Sequence, residues 1–506
     1  MKRVYRFLIY ILPVVLFFSY QPLVHFAANE SMNFEISLPL IWLVLFDVLV
    51  VVMGWRKRGL WRGILKRWVW LLLPIWLSLS VLWSLNSLRG LLTVGIVWLV
   101  YLAVYGFFEF RELFREVGFK EKFWKVFFGS TLVICLWCWL QCVLDLMGVG
   151  QEYTLMCDGC TYQMFGFPHP NGFAIEPQFM ENLLLAPAIV IAWTILKDDH
   201  NSIFRGRGSS RPSLRGSDPS FLGRNLRKPL KILLLVILVS TLFLTFSRGA
   251  IYAFIVAMIV MTVWWVVQGR KWKVLSVWLA IILSFVFTLN IQGLMAEVSP
   301  TRDTYATGVA KVLNHLSLGV IDVREPGNNE LTEVEVVENP VENFVGCNQS
   351  GIDVESQSNE VNDAIEQEAA FDGYVAESTD TRLRLSSAAF EIWRQDFGTA
   401  MFGVGLGGAG QALYVNGLSP APKEIVQNQY VSLLLETGIV GVGLTIFSLV
   451  LVVRAIWRSP WRVMLLSLLV AYGITLLFFS GLPNALHIYL LPAVIYSISL
   501  RKKLVS

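Results

Sequence analysis

The residues best suited to chemistry in this sequence are arginines and amides that border apolar runs. Arg248 lies in TLFLTFSRGAIYAFIVAM, between Ser247 and Gly249. A guanidinium so close to a membrane core is unfavourable unless it meets an anion or lines a wet cavity, and it matches phosphate oxygens with two parallel hydrogen bonds. The sequence therefore predicts that Arg248, with Ser247 beside it, binds an anionic substrate group. The alternative is an interfacial arginine that reaches lipid headgroups.

Two further arginines, Arg382 and Arg384, end a long acidic segment. Apolar residues then recur at helical spacing, which predicts an amphipathic helix over about 382–395, near the membrane surface. Side chains at i and i+2 do not share one helix face. At most one of the two arginines is therefore expected to point into a site, and pairing with the preceding acids is the alternative for each.

The stretch 402–410, FGVGLGGAG, contains a GxGxxG pattern. A dinucleotide site would need a strand before it, a helix after it and a cytoplasmic location. The sequence predicts none of these, so we exclude a nucleotide. Gly405 and Gly407 are expected to form a tight turn whose backbone N–H groups face an anion, or to let the loop and the membrane helices pack closely.

An amide pair, Gln427 and Asn428, stands where the chain re-enters an apolar run. Two amides at a membrane surface can bind a sugar or a phosphate. The alternative is helix capping, for which asparagine is well suited. On position alone the two interpretations are equally supported.

An earlier loop, FGFPHPNGFAIEPQFMENLLL over 165–185, contains no Lys or Arg and cannot bind phosphate by charge. It could contact a hydroxylated acceptor or complete a cavity; the alternative is a structured turn shaped by its prolines. Its polar side chains are His169, Asn171, Glu176 and Glu181.

The cysteines and histidines indicate no metal site. Cys135, Cys138 and Cys142 lie in an apolar run and are predicted to be packing residues. Cys157 and Cys160 form one CxxC in a polar loop, which predicts a local disulfide outside the cytoplasm rather than a zinc site. The five histidines are scattered along the chain, and no GxSxG, HExxH or Walker motif is present. We expect neither a metal nor a cofactor.

The composition sets the class of protein that must position these residues. Of 506 residues, 55% are hydrophobic and only 15% are charged, which is typical of an all-α polytopic membrane protein. No cleavable signal peptide is evident. The sixth of about twelve apolar spans is short and is expected to be tilted or broken. The spans are 5–27, 35–54, 67–86, 89–108, 124–148, 181–196, 230–247, 249–268, 273–294, 427–453, 461–480 and 483–500.

Basic residues predict the orientation. Lys and Arg concentrate in alternate connections, including the Gly, Ser and Arg rich segment 197–231, and are absent from 28–34, 149–180 and 481–482. By the positive-inside rule both termini are expected in the cytoplasm. The chain then divides into helices one to nine over 1–294, a large extracytoplasmic loop over 295–426 before the third-last helix, and the last three helices over 427–506.

The large loop has two unlike parts. Residues 295–320 show helical periodicity. Between Glu325 and Asp380 there are fifteen acidic residues and no basic one, a composition that predicts disorder over 325–380. We assign no chemistry to that acidic part.

In this order the motifs resemble the O-antigen ligase and polymerase family of bacterial membrane glycosyltransferases. The resemblance covers most of 125–455 and is carried by the SRG turn at Ser247, the HPNGFA loop 169–174, the Arg384 helix that runs into MFGVGLGGAG, and QNQYVSLLLETGIVG over 427–441. Together the motifs are moderately specific.

The resemblance implies transfer of a glycan from an undecaprenyl-pyrophosphate carrier to a hydroxyl of a saccharide or lipid-linked acceptor. The reaction would take place at the outer face of the bacterial cytoplasmic membrane, without a metal, and among membrane lipids. Arg248 and Arg384 match the arginines that would neutralise the pyrophosphate leaving group. No nucleic-acid partner is expected.

One departure from the family concerns the base. The family usually has His-Asn where this chain has Gln427-Asn428, and glutamine cannot accept a proton at neutral pH. Either Gln427 only orients the acceptor, or another group such as Glu424 is the base, or the activity is altered. Two other functions stay open: a lipid-linked glycan transporter, and a glycan-binding or assembly protein descended from the enzyme.

Overall fold

The computed structural model describes residues 1–18, 24–29, 32–56, 63–64, 67–116, 118–162, 166–197, 228–300, 304–317, 381–419, 421–422, 426–481 and 485–500. The first half holds α1 (Lys2–Phe17), β1 (Val24–Asn29), β2 (Met32–Ile36), α2 (Leu38–Arg56), α3 (Leu72–Ser80), α4 (Ser87–Glu109), α5 (Phe119–Leu146), α6 (Pro177–Lys197) and α7 (Lys228–Leu244). The second half holds α8 (Arg248–Val267), α9 (Lys271–Val298), α10 (Tyr305–Leu316), α11 (381–393), α12 (Phe397–Phe402), α13 (Ala409–Val415), α14 (Gln429–Trp457), α15 (Arg462–Thr475) and α16 (Leu486–Ser499). A helical turn at Gln151–Thr154 and 3-10 turns at Trp68–Leu71, Val81–Trp83, Arg111–Arg115 and Asp158–Cys160 complete the described elements.

The helices follow the apolar spans of the sequence. Each predicted span contains an apolar helix, and among the described residues seven helices are long and apolar enough to cross a membrane: α2, α4, α5, α6, α8, α9 and α14. Shorter apolar helices occupy Trp68–Trp83, Pro229–Leu244, Arg462–Thr475 and Leu486–Ser499. The helical, membrane-spanning class is confirmed, while the number of about twelve spans stays a prediction.

The first predicted span differs from the structure. We expected a helix over 5–27, but α1 ends at Phe17 and Val24 begins a strand that pairs antiparallel with Met32–Ile36. Pro22 lies between helix and strand in the sequence, and proline lacks the N–H that helix continuation requires. Apolarity alone did not distinguish the strand from the end of a helix.

The sixth span was expected to be tilted or broken, but in the structure it is a continuous helix at the centre of the helix packing. Helix α6 runs without a break for 21 residues, and 94% of its most apolar window is buried by protein. It contacts α5, α7, α8, α9, α15 and α16. Burial of this extent suits a mainly apolar helix, so α6 lies in a protein environment rather than a lipid one.

The glycine run packs against a kink in α14. Gly438 interrupts the helix with φ 64° and ψ −171°, a conformation essentially restricted to glycine. The kink exposes backbone carbonyls, and the glycine run satisfies two of them: Val404 N–H donates to the Leu435 carbonyl at 2.9 Å and Gly405 N–H to the Glu436 carbonyl at 3.0 Å. Two separate parts of the chain are therefore joined by backbone hydrogen bonds.

The two parts of the large loop with helical periodicity form helices, as that periodicity predicted. Helix α10 packs on α9. Helix α11 buries Leu385, Ala389 and Ile392 in a small apolar cluster that includes Leu413 of α13 and Leu435 of α14. The expected amphipathic helix is confirmed, and its apolar face holds it against the glycine run and the beginning of α14.

Candidate functional site

One large cavity collects most of the predicted site residues. Its volume is about 560 Å³, and its walls come from 157–178, 245–249, 315, 382–386, 427–428 and 477–478. Every one of these segments belongs to the side that the distribution of basic residues places outside the cytoplasm. The polar side chains most relevant to chemistry are those of His169, Glu176, Arg248, His315, Arg382 and Gln427.

Arg248 reaches this cavity from the first position of α8. Helix α7 ends at Leu244 and Ser247 is the N-cap residue of α8, so the predicted tight turn is confirmed. Phe246 adopts a left-handed φ of 61° in this turn, which is rare for an aromatic residue. Gly249 lies against Phe478, since a Cβ at Gly249 would sit 2.9 Å from the Cβ of Phe478. Close packing at Gly249 thus fixes the position from which Arg248 extends.

A buried carboxyl lies behind the turn. Glu181 of α6 is fully buried close to Thr245 and Ser247. Neither of its carboxyl oxygens has a hydrogen-bond partner among the described residues. Glu181 is not part of the cavity wall and therefore lies behind the Ser247 turn, outside the cavity.

Two histidines meet at this turn, although 146 positions separate them in the sequence. The ring of His315 stacks on Phe246 with centroids 4.0 Å apart, and the His169 ring centroid lies 6.1 Å from that of Phe246. His315 Nε2 lies 3.1 Å from the Phe246 carbonyl oxygen and donates to it, because a carbonyl can only accept. Phe246 thus brings together two histidines that no sequence pattern pairs.

Both histidines are neutral at physiological pH. Burial lowers the pKa of His169 to about 4. Burial, followed by the charge of Arg248, lowers the pKa of His315 to about 3. Protonating His315 would place a buried cation beside Arg248, and protonating His169 would create a buried cation. The histidines therefore offer hydrogen bonds to a ligand and no positive charge.

The structure separates the two arginines of α11. Arg382 is half-buried and lines the cavity, whereas Arg384 is exposed and is not part of the wall. The expectation that at most one of them faces a site is confirmed in geometry. It is Arg382, and not the Arg384 that the resemblance favoured, that lies with Arg248.

Glu176 is the acidic side chain of the cavity wall that sequence reasoning left without a role. It precedes α6 directly and opens into the cavity, with more than a third of the residue exposed. Partial loss of water around the Glu176 carboxyl raises its pKa, and the positive charge of Arg382 partly opposes that rise. The sequence signal was present, since Glu176 stands in the HPNGFA loop region, but nothing in its spacing tied it to Arg382.

The amide pair divides between two roles. Asn428 is the N-cap of α14, and its Oδ1 accepts from Tyr430 N–H at 3.0 Å and from Val431 N–H at 3.2 Å. Gln427 is exposed in the cavity. Asn428 therefore caps the helix, as the capping alternative predicted, and it also lines the cavity; Gln427 is the more exposed of the two amides. Glu424, the proposed substitute base, lies outside the described residues.

Three other predicted binding residues lie away from the cavity. Asn171 is buried, and its Nδ2 donates to the Leu155 and Ala174 carbonyls, so the structured-turn alternative holds for this residue. Gly405 and Gly407 lie against Ser84 and Gly90 at the α3–α4 connection. The structure does not bring Asn171, Gly405 or Gly407 together with Arg248.

The glycine turn does face an anion, but the anion belongs to the chain itself. Backbone N–H groups of Gly407 and Ala409 hydrogen bond to the carboxyl of Glu436, and Arg89 is its cationic neighbour. The small space between them is about 40 Å³, room for only a few water molecules. The turn therefore serves close packing rather than substrate binding.

The predicted disulfide is confirmed. Cys157 and Cys160 are bonded, and both border the cavity. Cys135, Cys138 and Cys142 are free and buried, as expected of packing residues. Among the residues that the structure describes, no three His, Cys, Asp or Glu side chains are grouped as a metal site.

Comparison with known families agrees with this geometry. Residues 233–447 match a family model described as O-antigen ligase. That range includes Arg248, His315, Arg382 and Gln427, and leaves out His169 and Glu176. No curated protein and no solved structure matches the chain. Residues 233–447 are therefore similar to the O-antigen ligase family, in agreement with the resemblance drawn from the sequence motifs.

Proposed function

We propose that this cavity transfers a glycan from an undecaprenyl-pyrophosphate carrier to an acceptor hydroxyl at the outer face of the cytoplasmic membrane. The observation that carries the proposal is the convergence of two arginines on one cavity. Arg248 comes from the beginning of α8 and Arg382 from the beginning of α11, 134 positions later in the sequence.

The pair of arginines suits a pyrophosphate leaving group. When the glycosyl bond breaks, negative charge builds up on the phosphate oxygen that leaves, and fixed cations in a partly dry site stabilise that charge strongly. Guanidinium groups match phosphate oxygens with paired hydrogen bonds. The N–H groups of the first turn of α8 face the same end of the helix as Arg248 and add further positive potential.

The remaining polar wall suits a sugar acceptor. His169 and His315 are neutral, and Gln427 is uncharged and exposed in the cavity. Neutral donors and acceptors of this kind recognise hydroxyl groups without competing for the phosphate. The cavity volume of about 560 Å³ is within the range of roughly 300–1,000 Å³ of small-molecule sites, so it can hold a diphosphate and the sugars beside the scissile bond.

The same distribution argues against a transporter. Transporters place polar binding groups near the middle of the membrane, between repeats. Here the polar wall consists of the outer ends of helices and their connections. The transport alternative would be favoured if labelled donor crossed a bilayer with its pyrophosphate bond intact.

Transfer in proteoliposomes tests the proposal. Purified protein would receive undecaprenyl-pyrophosphate glycan and candidate acceptors with EDTA present, and released undecaprenyl pyrophosphate and glycan product would be measured. We expect turnover by the wild type in EDTA and a loss of about 10- to 1,000-fold in kcat/KM for Arg248→Ala, as for removal of one group that stabilises a transition-state anion. Arg394→Ala is the matched control, since Arg394 is exposed and lies outside the cavity wall.

Two results would contradict the proposal. Arg248→Ala with the turnover of the wild type would remove the cavity from the reaction. Donor binding by the wild type without any product, across all acceptors, would favour the glycan-binding alternative that the glutamine at position 427 keeps open.

A further inference from the structure

We infer that Glu176 accepts the proton of the acceptor hydroxyl during transfer, in a site where Gln427 stands in place of the family's histidine. The inference rests on the proposed glycan transfer and assigns the base of that reaction. Glu176 lies outside the family match over 233–447 and belongs to the loop 165–185, for which contact with a hydroxylated acceptor is one interpretation of the sequence.

The backbone of Glu176 is held firmly while its carboxyl is open to the cavity. Its carbonyl accepts from Phe179 N–H at 3.1 Å, and Pro177 follows as the first residue of α6, a position at which proline fixes the helix start. Gln178 Nε2 donates to the Phe478 carbonyl at 3.1 Å, which ties this end of α6 to the opposite wall. The carboxyl is thus placed by a rigid segment and can still approach a ligand.

The other ionisable groups around the cavity leave Glu176 as the best proton acceptor. Arg248 and Arg382 are cations without a proton-accepting site, and protonation of His169 or His315 would bury a further cation. Protonation of Glu176, in contrast, removes a negative charge, and partial desolvation of the carboxyl favours its protonated form. Among the described groups lining the cavity, the carboxyl can therefore take a proton at the lowest electrostatic cost.

Donor binding makes Glu176 a stronger base. In the empty cavity Arg382 stabilises the ionised carboxyl and lowers its pKa. A diphosphate that hydrogen bonds to Arg382 competes for that guanidinium and adds two or more negative charges nearby, and both effects raise the pKa of the carboxyl. The base would therefore be weakest before the donor arrives and strongest when the glycosyl bond is ready to break.

The chemical step is balanced as follows. The acceptor oxygen attacks the anomeric carbon of the donor sugar and forms the new glycosidic bond. The bond between that carbon and the phosphate oxygen breaks, and its electron pair leaves with the lipid pyrophosphate beside Arg248 and Arg382. The hydroxyl proton passes to a Glu176 carboxylate oxygen and then to solvent or to the released pyrophosphate.

The test combines donor binding with transfer kinetics in the full-length protein. Glu176→Gln preserves size and removes basicity; we expect kcat to fall about 100- to 10,000-fold, as for loss of a general base. Binding of the undecaprenyl-pyrophosphate glycan should stay within about threefold, because both arginines are retained. Glu391→Gln is the matched control, an exposed carboxyl beside Arg394 that is not part of the cavity wall.

The pH profile separates a base from a structural residue. A base must be deprotonated, so wild-type kcat should fall with a slope of one as pH drops below the pKa of Glu176 in the donor complex. That acidic limb should be retained in Glu176→Asp at a reduced rate and should vanish in Glu176→Gln. Unchanged kcat in Glu176→Gln, or the same acidic limb in its residual activity, would overturn the inference.

Failure of the inference is distinct from failure of the proposed function. If glycan transfer is the wrong function, the wild type gives no product and Arg248→Ala changes nothing. If only the base is misassigned, the wild type transfers glycan, Arg248→Ala is impaired and Glu176→Gln is not.

Discussion

Arg382 and Arg384 offer the sharpest contrast between a family-based and a geometry-based assignment. The two residues have the same side chain and lie two positions apart in the sequence. Arg382 nevertheless lines the cavity with Arg248, whereas Arg384 is exposed outside it. We predict that Arg382→Ala impairs donor binding and transfer, and that Arg384→Ala does not. Each variant is therefore the matched control of the other.

The magnitude follows from the contacts available to each side chain. Arg382 is half-buried and within electrostatic range of both Glu176 and His315. A charge-assisted hydrogen bond contributes about 1.5–3 kcal/mol, so its loss should reduce donor affinity by roughly 10- to 150-fold. An exposed charge outside the site acts only through screened solvent, since the Debye length is about 8 Å at physiological ionic strength, and Arg384→Ala should change affinity less than about twofold.

Binding of labelled undecaprenyl-pyrophosphate glycan and transfer by the same proteoliposomes would be measured side by side. Arg382→Lys keeps the charge but loses the paired geometry, so it should lie between wild type and Arg382→Ala. Raising the salt concentration should reduce the contribution of the half-buried Arg382 to donor binding only slightly. It should reduce any contribution of the exposed Arg384 by a larger fraction. A larger loss in Arg384→Ala than in Arg382→Ala would refute the assignment made from the structure and restore the one made from the resemblance.

Two other predictions concern the kink of α14 and the amide at position 427. Gly438→Ala should lower Tm and the yield of folded protein. The backbone conformation at Gly438 costs a non-glycine residue about 1–3 kcal/mol, and a Cβ there would overlap the Met401 carbonyl. The control is Gly443→Ala in the same helix, which should not lower Tm because the space around its Cβ is open. Gln427→His should change transfer less than about threefold if Glu176 already serves as base, and a gain of 100-fold or more would show that the missing histidine limits the wild type.

Helices with continuous apolar sequences were predictable because membrane spans need a fixed length of apolar residues. The turn at Arg248 followed from two such runs, 230–247 and 249–268, that leave only Arg248 between them, and α11 followed from the spacing of Leu385 and Ile392. The strand at Val24–Asn29 was not predictable in this way, since an apolar stretch of that length fits either structure. The centrality of α6 was equally hidden, because the sequence shows apolarity and not whether lipid or protein covers it.

The kinds of residue in the candidate site were predictable, but which individual residues meet in the cavity was less so. Arg248 was identified because a charge beside an apolar run needs an explanation. The choice between Arg382 and Arg384 depends on which face of α11 is buried, and that face is set by contacts with α13 and α14. His169 and His315 could not be paired from the sequence, because Phe246 joins them through a left-handed turn that no spacing rule predicts.

The glycine run affects the cavity through the position of α11. Trp393 Nε1 donates to the Ala400 carbonyl at 3.0 Å and Asp396 caps α12, so α11, α12 and the glycine run form a continuous, hydrogen-bonded segment. Its far end is fixed at the α14 kink and at the α3–α4 connection, where added side chains at Gly405 or Gly407 would overlap or crowd the neighbouring backbone. Because that anchor sets where α11 lies, it also sets where Arg382 enters the cavity. Gly405 and Gly407 are therefore best explained as residues that position Arg382, more than twenty positions earlier in the sequence. They do not form a backbone binding site for the substrate.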